Sequence, residues 1–139
     1  MQAALDTSFI LSIIIRRETT DSALRILSKI TKDYDEIFVP QQVIAEVAYV
    51  LEGIHKYTRQ RKKLSANEIS DYIESIMNTP KFIIENERGI SSALKYYREL
   101  NIGFGDSLIA GTVRSRGIDK IASMDKDFER IGDLEVIKF

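Results

Sequence analysis

The apolar residues of this chain fall into two patterns, short continuous runs and longer stretches with helical spacing. The short runs predict strands at residues 2–5, 36–39, 82–84, 120–123 and 135–138. The helical spacing predicts helices at residues 7–15, 19–30, 40–56, 65–76, 87–100 and 106–116. Strands that alternate with helices imply right-handed crossovers and a mainly parallel sheet between helical layers, an α/β fold. At 139 residues, we expect a single domain over residues 1–139.

Three local signals refine the helix boundaries. Pro40 is predicted at the first helical position, where its missing N–H costs nothing. Ser65 and Glu68 have the spacing of a capping box, which predicts a helix start at that point. The glycines of Gly103-Phe104-Gly105 predict a loop before the helix that Asp106 opens.

The composition excludes several kinds of chemistry. The chain has no cysteine and one histidine, His55, which excludes disulfides, thiol catalysis, zinc–thiolate sites and centres with several histidines. A net charge of −1 neither favours nor opposes a polyanionic partner. No apolar run reaches membrane-spanning length, and Asp6 and Arg16-Arg17 do not follow the order of a signal peptide. We therefore expect a soluble, cytoplasmic protein with no membrane partner.

Three aspartates follow strands or loops at positions where ligands bind in α/β folds. Asp6 ends the first predicted strand, Asp125 follows the fourth, and Asp106 follows the glycine-flanked loop. Ligands in parallel sheets gather at the carboxyl ends of the strands, so these residues are candidate ligands. Asp is also a preferred helix N-cap, and for Asp6 or Asp106 taken singly the two interpretations are equally supported.

Glu46 is an acid at the rim of a predicted buried helix face. At 100° per residue it lies beside Val43 and Val50, and no Lys or Arg lies one turn away. A charge near a buried face is costly unless something pairs with it. We therefore expect a bound cation to relieve this carboxylate.

Together these acids predict a metal site made of oxygen ligands alone. If the strand ends converge, Asp6, Glu46, Asp106 and Asp125 form a strongly negative cluster. Mg²⁺ and Mn²⁺ prefer carboxylate and water ligands and retain several waters. Such an ion can activate a water and stabilise the leaving oxygen of a phosphodiester without help from His or Cys.

The chain resembles the PIN domain family, and in size and layout it is similar to the VapC-type toxin ribonucleases of bacteria and archaea. Four segments carry the resemblance in the family's order and spacing: Leu5-Asp6-Thr7-Ser8-Phe9, Val43-Ile44-Ala45-Glu46-Val47, Gly105-Asp106-Ser107-Leu108-Ile109-Ala110 and Ser123-Met124-Asp125-Lys126-Asp127-Phe128. Any one of these segments alone would be a weak signal, but four in order are specific.

The resemblance implies a three-layer α/β/α sandwich and a Mg²⁺- or Mn²⁺-dependent endoribonuclease that acts on RNA. It also implies a small antitoxin partner and a homodimer. The implied catalytic and metal-binding residues are Asp6, Glu46, Asp106 and Asp125, with Asp127 as the alternate fourth acid. The implied supporting hydroxyls, which orient carboxylates or a metal-bound water, are those of Thr7 or Ser8 and of Ser123. Ser123 replaces the Thr usual in the family's fourth motif, a change that keeps the hydroxyl.

The only dense positive run of the sequence lies at residues 56–63. One interpretation is a solvated helix end. The other is a contact with RNA phosphates through the residues Arg59, Arg61, Lys62 and Lys63, among which Tyr57 lies close in sequence.

Two other classes of function are weighed against the nuclease. A non-catalytic RNA- or protein-binding module would keep the PIN fold, but retention of all the acids argues against it. A phospho-receiver-like domain would have an acidic pair at the first strand and a central phospho-accepting Asp. Leu5-Asp6-Thr7 lacks the pair, and neither the second nor the third strand ends on Asp.

Overall fold

In the computed structural model the described strands pair in parallel, in agreement with the predicted mainly parallel pairing, and they lie in two units. The structure describes residues 1–57 and 62–139, and these cluster as Met1–Glu85 and Asn86–Phe139. The first unit holds a sheet of three strands and the second a sheet of two. The fold class is therefore α/β, as predicted, and the single domain at residues 1–139 stays a prediction.

The first unit alternates strands and helices along most of its length. Its elements are β1 (Gln2–Ala4), α1 (Thr7–Ile14), α2 (Thr20–Asp33), β2 (Glu36–Val39), α3 (Gln41–Gly53), a 3₁₀ helix (Ile54–Lys56), α4 (Ala66–Met77) and β3 (Phe82–Ile84). Strand β2 is central, with Ala3 of β1 opposite Ile37 and Ile83 of β3 opposite Phe38. The apolar faces of α3 and α4 supply buried residues such as Val47 and Ile69 to the core.

Local chemistry accounts for two helix starts in this unit. The Ser65 hydroxyl accepts from the Glu68 N–H at 3.1 Å, and the Glu68 carboxylate accepts from the Ser65 N–H at 3.1 Å, so the predicted capping box is confirmed. The prediction for Pro40 is wrong by one position. Its ψ of 146° is extended, so it is the N-cap, and α3 begins at Gln41.

The second unit begins with two helices in close contact. Its elements are α5 (Glu87–Leu100), α6 (Phe104–Ser115), β4 (Lys120–Ala122), a 3₁₀ helix (Lys126–Arg130) and β5 (Glu135–Ile137). Helices α5 and α6 approach closely at Gly89 and Gly111, where a Cβ on Gly111 would lie 2.4 Å from the Gly89 carbonyl oxygen. Strands β4 and β5 pair in parallel, with Ile121 opposite Val136.

A small apolar core holds the 3₁₀ helix of the second unit in place. Its buried members are Ile102, Ala110, Phe128, Ile131 and Leu134. Because Phe128 is buried, the acidic residues just before it are held at a defined position on the surface of this unit. No helix in the described ranges is both long and apolar enough to cross a membrane.

Candidate active site

Asp6 caps the first helix. It follows β1 with extended backbone, and its Oδ1 accepts from the Phe9 N–H at 3.0 Å and from the Ser8 hydroxyl at 2.9 Å. The bond from Phe9, followed by that from Ser8, lowers the pKa of Asp6, so the carboxylate is ionised at neutral pH. Both bonds reach the same oxygen. The predicted N-cap is therefore observed. Among the described residues no hydrogen bond reaches Oδ2, which leaves that oxygen for a ligand.

Glu46 lies at the rim of the buried face of α3, as predicted, but it differs from its prediction in pairing. Its side chain is exposed, and both carboxylate oxygens accept hydrogen bonds. The Thr7 hydroxyl donates to Oε1 at 2.6 Å, and the Gln42 amide donates to Oε2 at 3.0 Å. The prediction that Glu46 is unpaired is wrong, because an amide one turn away on α3 and a hydroxyl from α1 both donate to it, while the bound cation stays a prediction.

These contacts also set the charge state of Glu46. The hydrogen bond from Thr7, followed by that from Gln42, lowers the pKa of Glu46, and the negative charge of Asp6 opposes that shift. Thr7 and Ser8, predicted as alternatives, therefore orient different carboxylates, Thr7 that of Glu46 and Ser8 that of Asp6. Neighbouring hydroxyls thus hold two acids of the first unit in an ionised, oriented state.

Asp106 lies inside the first turn of α6, as its third residue. The predicted loop at Gly103-Phe104-Gly105 is wrong, because the helix begins at Phe104 with Gly103 as its N-cap. The buried Phe104 ring meets Tyr97 of α5 edge to face at 5.5 Å, which anchors the helix start. The N-cap interpretation of Asp106 is therefore also wrong, and its side chain has no capping task.

The second unit brings three carboxylates together. Oxygens of Asp106, Asp125 and Asp127 all lie within 4.8 Å of one another. Burial raises the pKa of Asp106, and its hydrogen bond with Asp125 and the charges of Asp125 and Asp127 raise it further. This cluster consists only of oxygen donors and concentrates negative charge that a cation would neutralise.

The segment from Ser123 to Asp127 is ordered by its own hydrogen bonds. The Asp125 N–H donates to the Ser123 hydroxyl at 2.9 Å, and Asp125 Oδ1 accepts from the Asp127 N–H at 2.9 Å as the N-cap of the 3₁₀ helix. The Ser123 hydroxyl thus orients the backbone of Asp125. Ser123 stands where the family usually has Thr, and this contact uses the hydroxyl that the two residues share.

Asp127 also lies near the guanidinium group of Arg130, a contact that the sequence analysis did not predict. Arg130 Nη2 lies 3.9 Å from Asp127 Oδ1, while Arg130 Nη1 donates to the carbonyls of Leu100 and Asn101 at 3.0 and 3.3 Å. The i,i+3 spacing of Asp127 and Arg130 was the available signal. Gln42, four residues before Glu46, was the corresponding signal in the first unit.

The predicted acids thus fall into two sets. Asp6 and Glu46 lie in the first unit, joined by the Thr7-Ser8 pair, and Asp106, Asp125 and Asp127 cluster in the second. Of the predicted RNA contacts, Lys62 and Lys63 are exposed, and Arg59 and Arg61 lie outside the described residues.

Parallel strands and a cluster of carboxylates define an α/β protein with an oxygen-only acidic site. The PIN domain profile matches residues 3–134. The chain therefore belongs to the PIN domain family.

Two curated relatives match nearly the whole chain. The VapC ribonuclease of Aquifex aeolicus is 26% identical over 129 residues, covering 92% of this chain and 90% of that protein. Ribonuclease VapC1 of Rickettsia felis is 25% identical over 139 residues, covering 99% of this chain and 96% of that protein. Among solved structures, VapBC2 of Rickettsia felis, bound to a DNA fragment from its promoter, aligns with a TM-score of 0.40 and 18% identity, covering 99% and 98% of the two chains.

Proposed function

We propose that this protein is a Mg²⁺- or Mn²⁺-dependent endoribonuclease that hydrolyses RNA phosphodiesters, and that it is the toxin of a toxin–antitoxin pair. Relatives named as ribonucleases align with it over nine-tenths or more of its length. The observation that carries the metal dependence is the cluster of Asp106, Asp125 and Asp127, whose oxygens lie within 4.8 Å of one another.

The donor set of this cluster suits a hard divalent cation. Every side chain offers carboxylate oxygen, and Mg²⁺ and Mn²⁺ favour such ligands over nitrogen or sulfur. Asp106 is half-buried beside two other acids: burial raises its pKa most, the hydrogen bond with Asp125 and the charges of Asp125 and Asp127 raise it further, and a cation would relieve the repulsion between these charges. The residues present therefore fit the ion.

We propose Asp6, Glu46, Asp106 and Asp125 as metal-binding residues. A bound divalent ion would supply an activated water and charge stabilisation at the leaving oxygen. Asp6 and Glu46 are ionised and oriented by Ser8 and Thr7, so they present negative charge without rearrangement.

Asp125 is preferred over Asp127 as the fourth ligand. Arg130 lies 3.9 Å from Asp127 and neutralises part of its charge. Asp125 has no such cation among the described residues, and the Asp127 N–H fixes the position of its Oδ1. Asp127 then helps to position Asp125.

The test combines metal binding with cleavage. Asp6→Asn and Asp106→Asn should each abolish cleavage of labelled RNA in Mn²⁺ and weaken Mn²⁺ binding measured by electron paramagnetic resonance. Asp133→Asn, a change at an exposed acid outside both sets, should leave both unchanged. Undiminished cleavage in EDTA would refute the metal dependence. Wild-type inactivity across varied RNAs with Mn²⁺ would favour the non-catalytic PIN-fold binding module.

The toxin role has its own test. Expression in a bacterial host should arrest growth, the Asp106→Asn chain should not, and co-expression of a small antitoxin should restore growth and form a stable complex. The homodimer belongs to the same proposal and is checked by light scattering. Growth unaffected by an actively cleaving chain would contradict the toxin role while leaving the nuclease intact.

A further inference from the structure

One side chain in the second unit reaches from its 3₁₀ helix to the C-terminal end of α5. Arg130 is the last residue of that 3₁₀ helix, and its Nη1 donates to the backbone carbonyls of Leu100 and Asn101 at 3.0 and 3.3 Å. Leu100 is the last residue of α5, and Asn101 is its C-cap, with a left-handed backbone at φ 53°. Carbonyl groups at a helix C-terminus have no partner within the helix and attract a positive charge, so Arg130 caps α5.

The same guanidinium group also lies beside the acidic cluster. Its Nη2 is 3.9 Å from Asp127 Oδ1, three residues earlier in the 3₁₀ helix. The two terminal nitrogens belong to one planar group, so the bonds of Nη1 to the α5 carbonyls restrict where Nη2 lies. Asp125, the N-cap of this 3₁₀ helix, accepts at Oδ1 from the Asp127 N–H at 2.9 Å. Arg130 therefore connects the end of α5 to the segment that supplies two of the three clustered acids.

The end of α5 leads directly to the third acid of the cluster. Residues 101–103 are the whole connection between α5 and α6, and Asp106 is the third residue of α6. Ile102 of this connection and Ile131, which follows Arg130, belong to the same buried apolar cluster. Apolar packing is not directional, whereas hydrogen bonds to carbonyl groups are. The packing therefore brings the two segments together, and the bonds of Arg130 fix how they are aligned.

We propose that Arg130 is a positioning residue of the acidic site, which holds the 3₁₀ helix against the end of α5 and thereby fixes the distances among the three clustered carboxylates. The inference rests on the proposed function, because it concerns the metal-binding residues of that nuclease. Arg130 is not itself a ligand, since a guanidinium group has no acceptor to offer a cation. Without its bonds, carboxylates that repel one another separate, and a cation has to bring them together again before it binds.

The charge of Arg130 and its position predict opposite effects on metal binding. A positive charge beside the site repels a divalent cation, so by charge alone the removal of Arg130 would raise the affinity for Mn²⁺. If Arg130 positions the acids, its removal lowers that affinity instead, and the loss of a residue that orients metal ligands typically costs about 10- to 100-fold. The sign of the change in Mn²⁺ affinity therefore distinguishes the two effects.

The test is Mn²⁺ binding by the full chain, measured by electron paramagnetic resonance at a temperature where circular dichroism shows each variant to be folded. Arg130→Met keeps a long side chain but removes its charge and its donors, and it should weaken Mn²⁺ binding by about 100-fold. Arg130→Lys keeps the charge but not the planar fork that spans two carbonyls and Asp127, and it should weaken binding by about 10-fold. Arg116→Met is the matched control, because Arg116 is an exposed cation at the C-cap of α6 in the same unit, and it should leave the affinity unchanged.

A purely structural role for Arg130 would give a different result. It would lower the melting temperature of both Arg130 variants in EDTA but leave the Mn²⁺ affinity of the folded chains at the wild-type value, and that outcome would overturn the positioning role. Tighter Mn²⁺ binding by Arg130→Met would overturn it as well. If Arg130→Met does not fold, Arg130→Lys decides by the same criterion, because lysine retains a charged donor for the α5 carbonyls.

The outcomes also separate this inference from the proposed function. If the wild type binds Mn²⁺ and cleaves RNA, and both Arg130 variants bind Mn²⁺ equally well, the positioning role is refuted and the nuclease stands. If the variants lose affinity as expected but the wild type cleaves no RNA, the positioning role stands without the nuclease. A wild-type chain that does not bind Mn²⁺ would overturn both.

Discussion

Replacement of Asp106 by Asn should stabilise the metal-free protein while abolishing its response to metal. Asp106 is half-buried, and its oxygens lie within 4.8 Å of those of Asp125 and Asp127. An amide has nearly the same shape and can still donate a hydrogen bond to Asp125, but it carries no charge. The substitution therefore removes charge repulsion with little change in packing.

Coulomb's law gives the size of the expected gain. Two unit charges at the 4.8 Å limit of this cluster repel by about 1 kcal/mol in water and by about 3.5 kcal/mol at an effective dielectric of about 20. Because Asp125 is exposed, screening favours the lower figure. Two relieved repulsions then give about 1 to 2 kcal/mol, or roughly 3 to 8 °C in melting temperature for a chain of this size.

The gain has a definite pH dependence. The pKa of Asp106 is raised in the folded protein, so the folded state binds more protons than the unfolded state between the ordinary and the raised values. The free energy of unfolding of the wild type therefore falls as pH rises through that window, and the Asn variant escapes this fall. The increase in the free energy of unfolding caused by Asp106→Asn should be complete at neutral pH and should disappear at a pH below the ordinary pKa range of Asp.

Thermal melts followed by circular dichroism provide the assay. In EDTA at neutral pH the Asp106→Asn chain should melt above the wild type. In Mn²⁺ at about 100 times its dissociation constant, the free energy of unfolding of the wild type should rise by about 2.7 kcal/mol, whereas that of the variant should rise little. The difference in melting temperature between the two chains should therefore shrink or reverse. Asp133→Asn should follow the wild type throughout. The electrostatic reasoning would be refuted if the variant melted at a lower temperature than the wild type in EDTA. It would also be refuted if Mn²⁺ raised the melting temperature of the variant as much as that of the wild type.

Three further substitutions test contacts of the fold and the site. Thr7→Val removes the hydroxyl that donates to Glu46 at 2.6 Å, so the pKa of Glu46 should rise and the acidic limb of the pH–activity profile should move to higher pH. Cleavage should fall about 10- to 100-fold. Thr7→Ser, which keeps the hydroxyl, should retain activity. Gly111→Ala places a Cβ 2.4 Å from a carbonyl oxygen of α5 and should lower the free energy of unfolding by about 1 to 3 kcal/mol in urea titrations, whereas Gly132→Ala, with nothing within 4 Å, should not. Ser65→Ala should cost about 1 kcal/mol in the same titrations, and an unchanged midpoint would contradict the role of its capping box.

Local patterns determined most elements of this fold. Helix and strand positions follow from apolar periodicity, which depends only on residues within a few turns of one another. The Ser65 capping box is confirmed because its donors and acceptors all lie within four consecutive residues. The identity of the family could also be predicted, because four acidic motifs in a fixed order rarely occur together by chance.

Predictions failed where distant residues decided the outcome. The glycines around Phe104 favour a loop, but the contact of Phe104 with Tyr97 starts α6 there and moves Asp106 into its first turn. The helical wheel did not show the hydroxyl donor to Glu46 because that donor, Thr7, is 39 residues away in the sequence. Such contacts have no signature in local spacing.

The sequence by itself determined which acids the chain carries and that Asp6 and Asp125 follow strands, because strand ends are local features. Only the tertiary structure decided that Thr7 holds the Glu46 carboxylate and that Asp106 is crowded by two other acids. Those outcomes depend on distances between side chains from different elements. They shift the pKa values of Glu46 and Asp106, because hydrogen bonds and like charges act on a pKa only over a few ångströms.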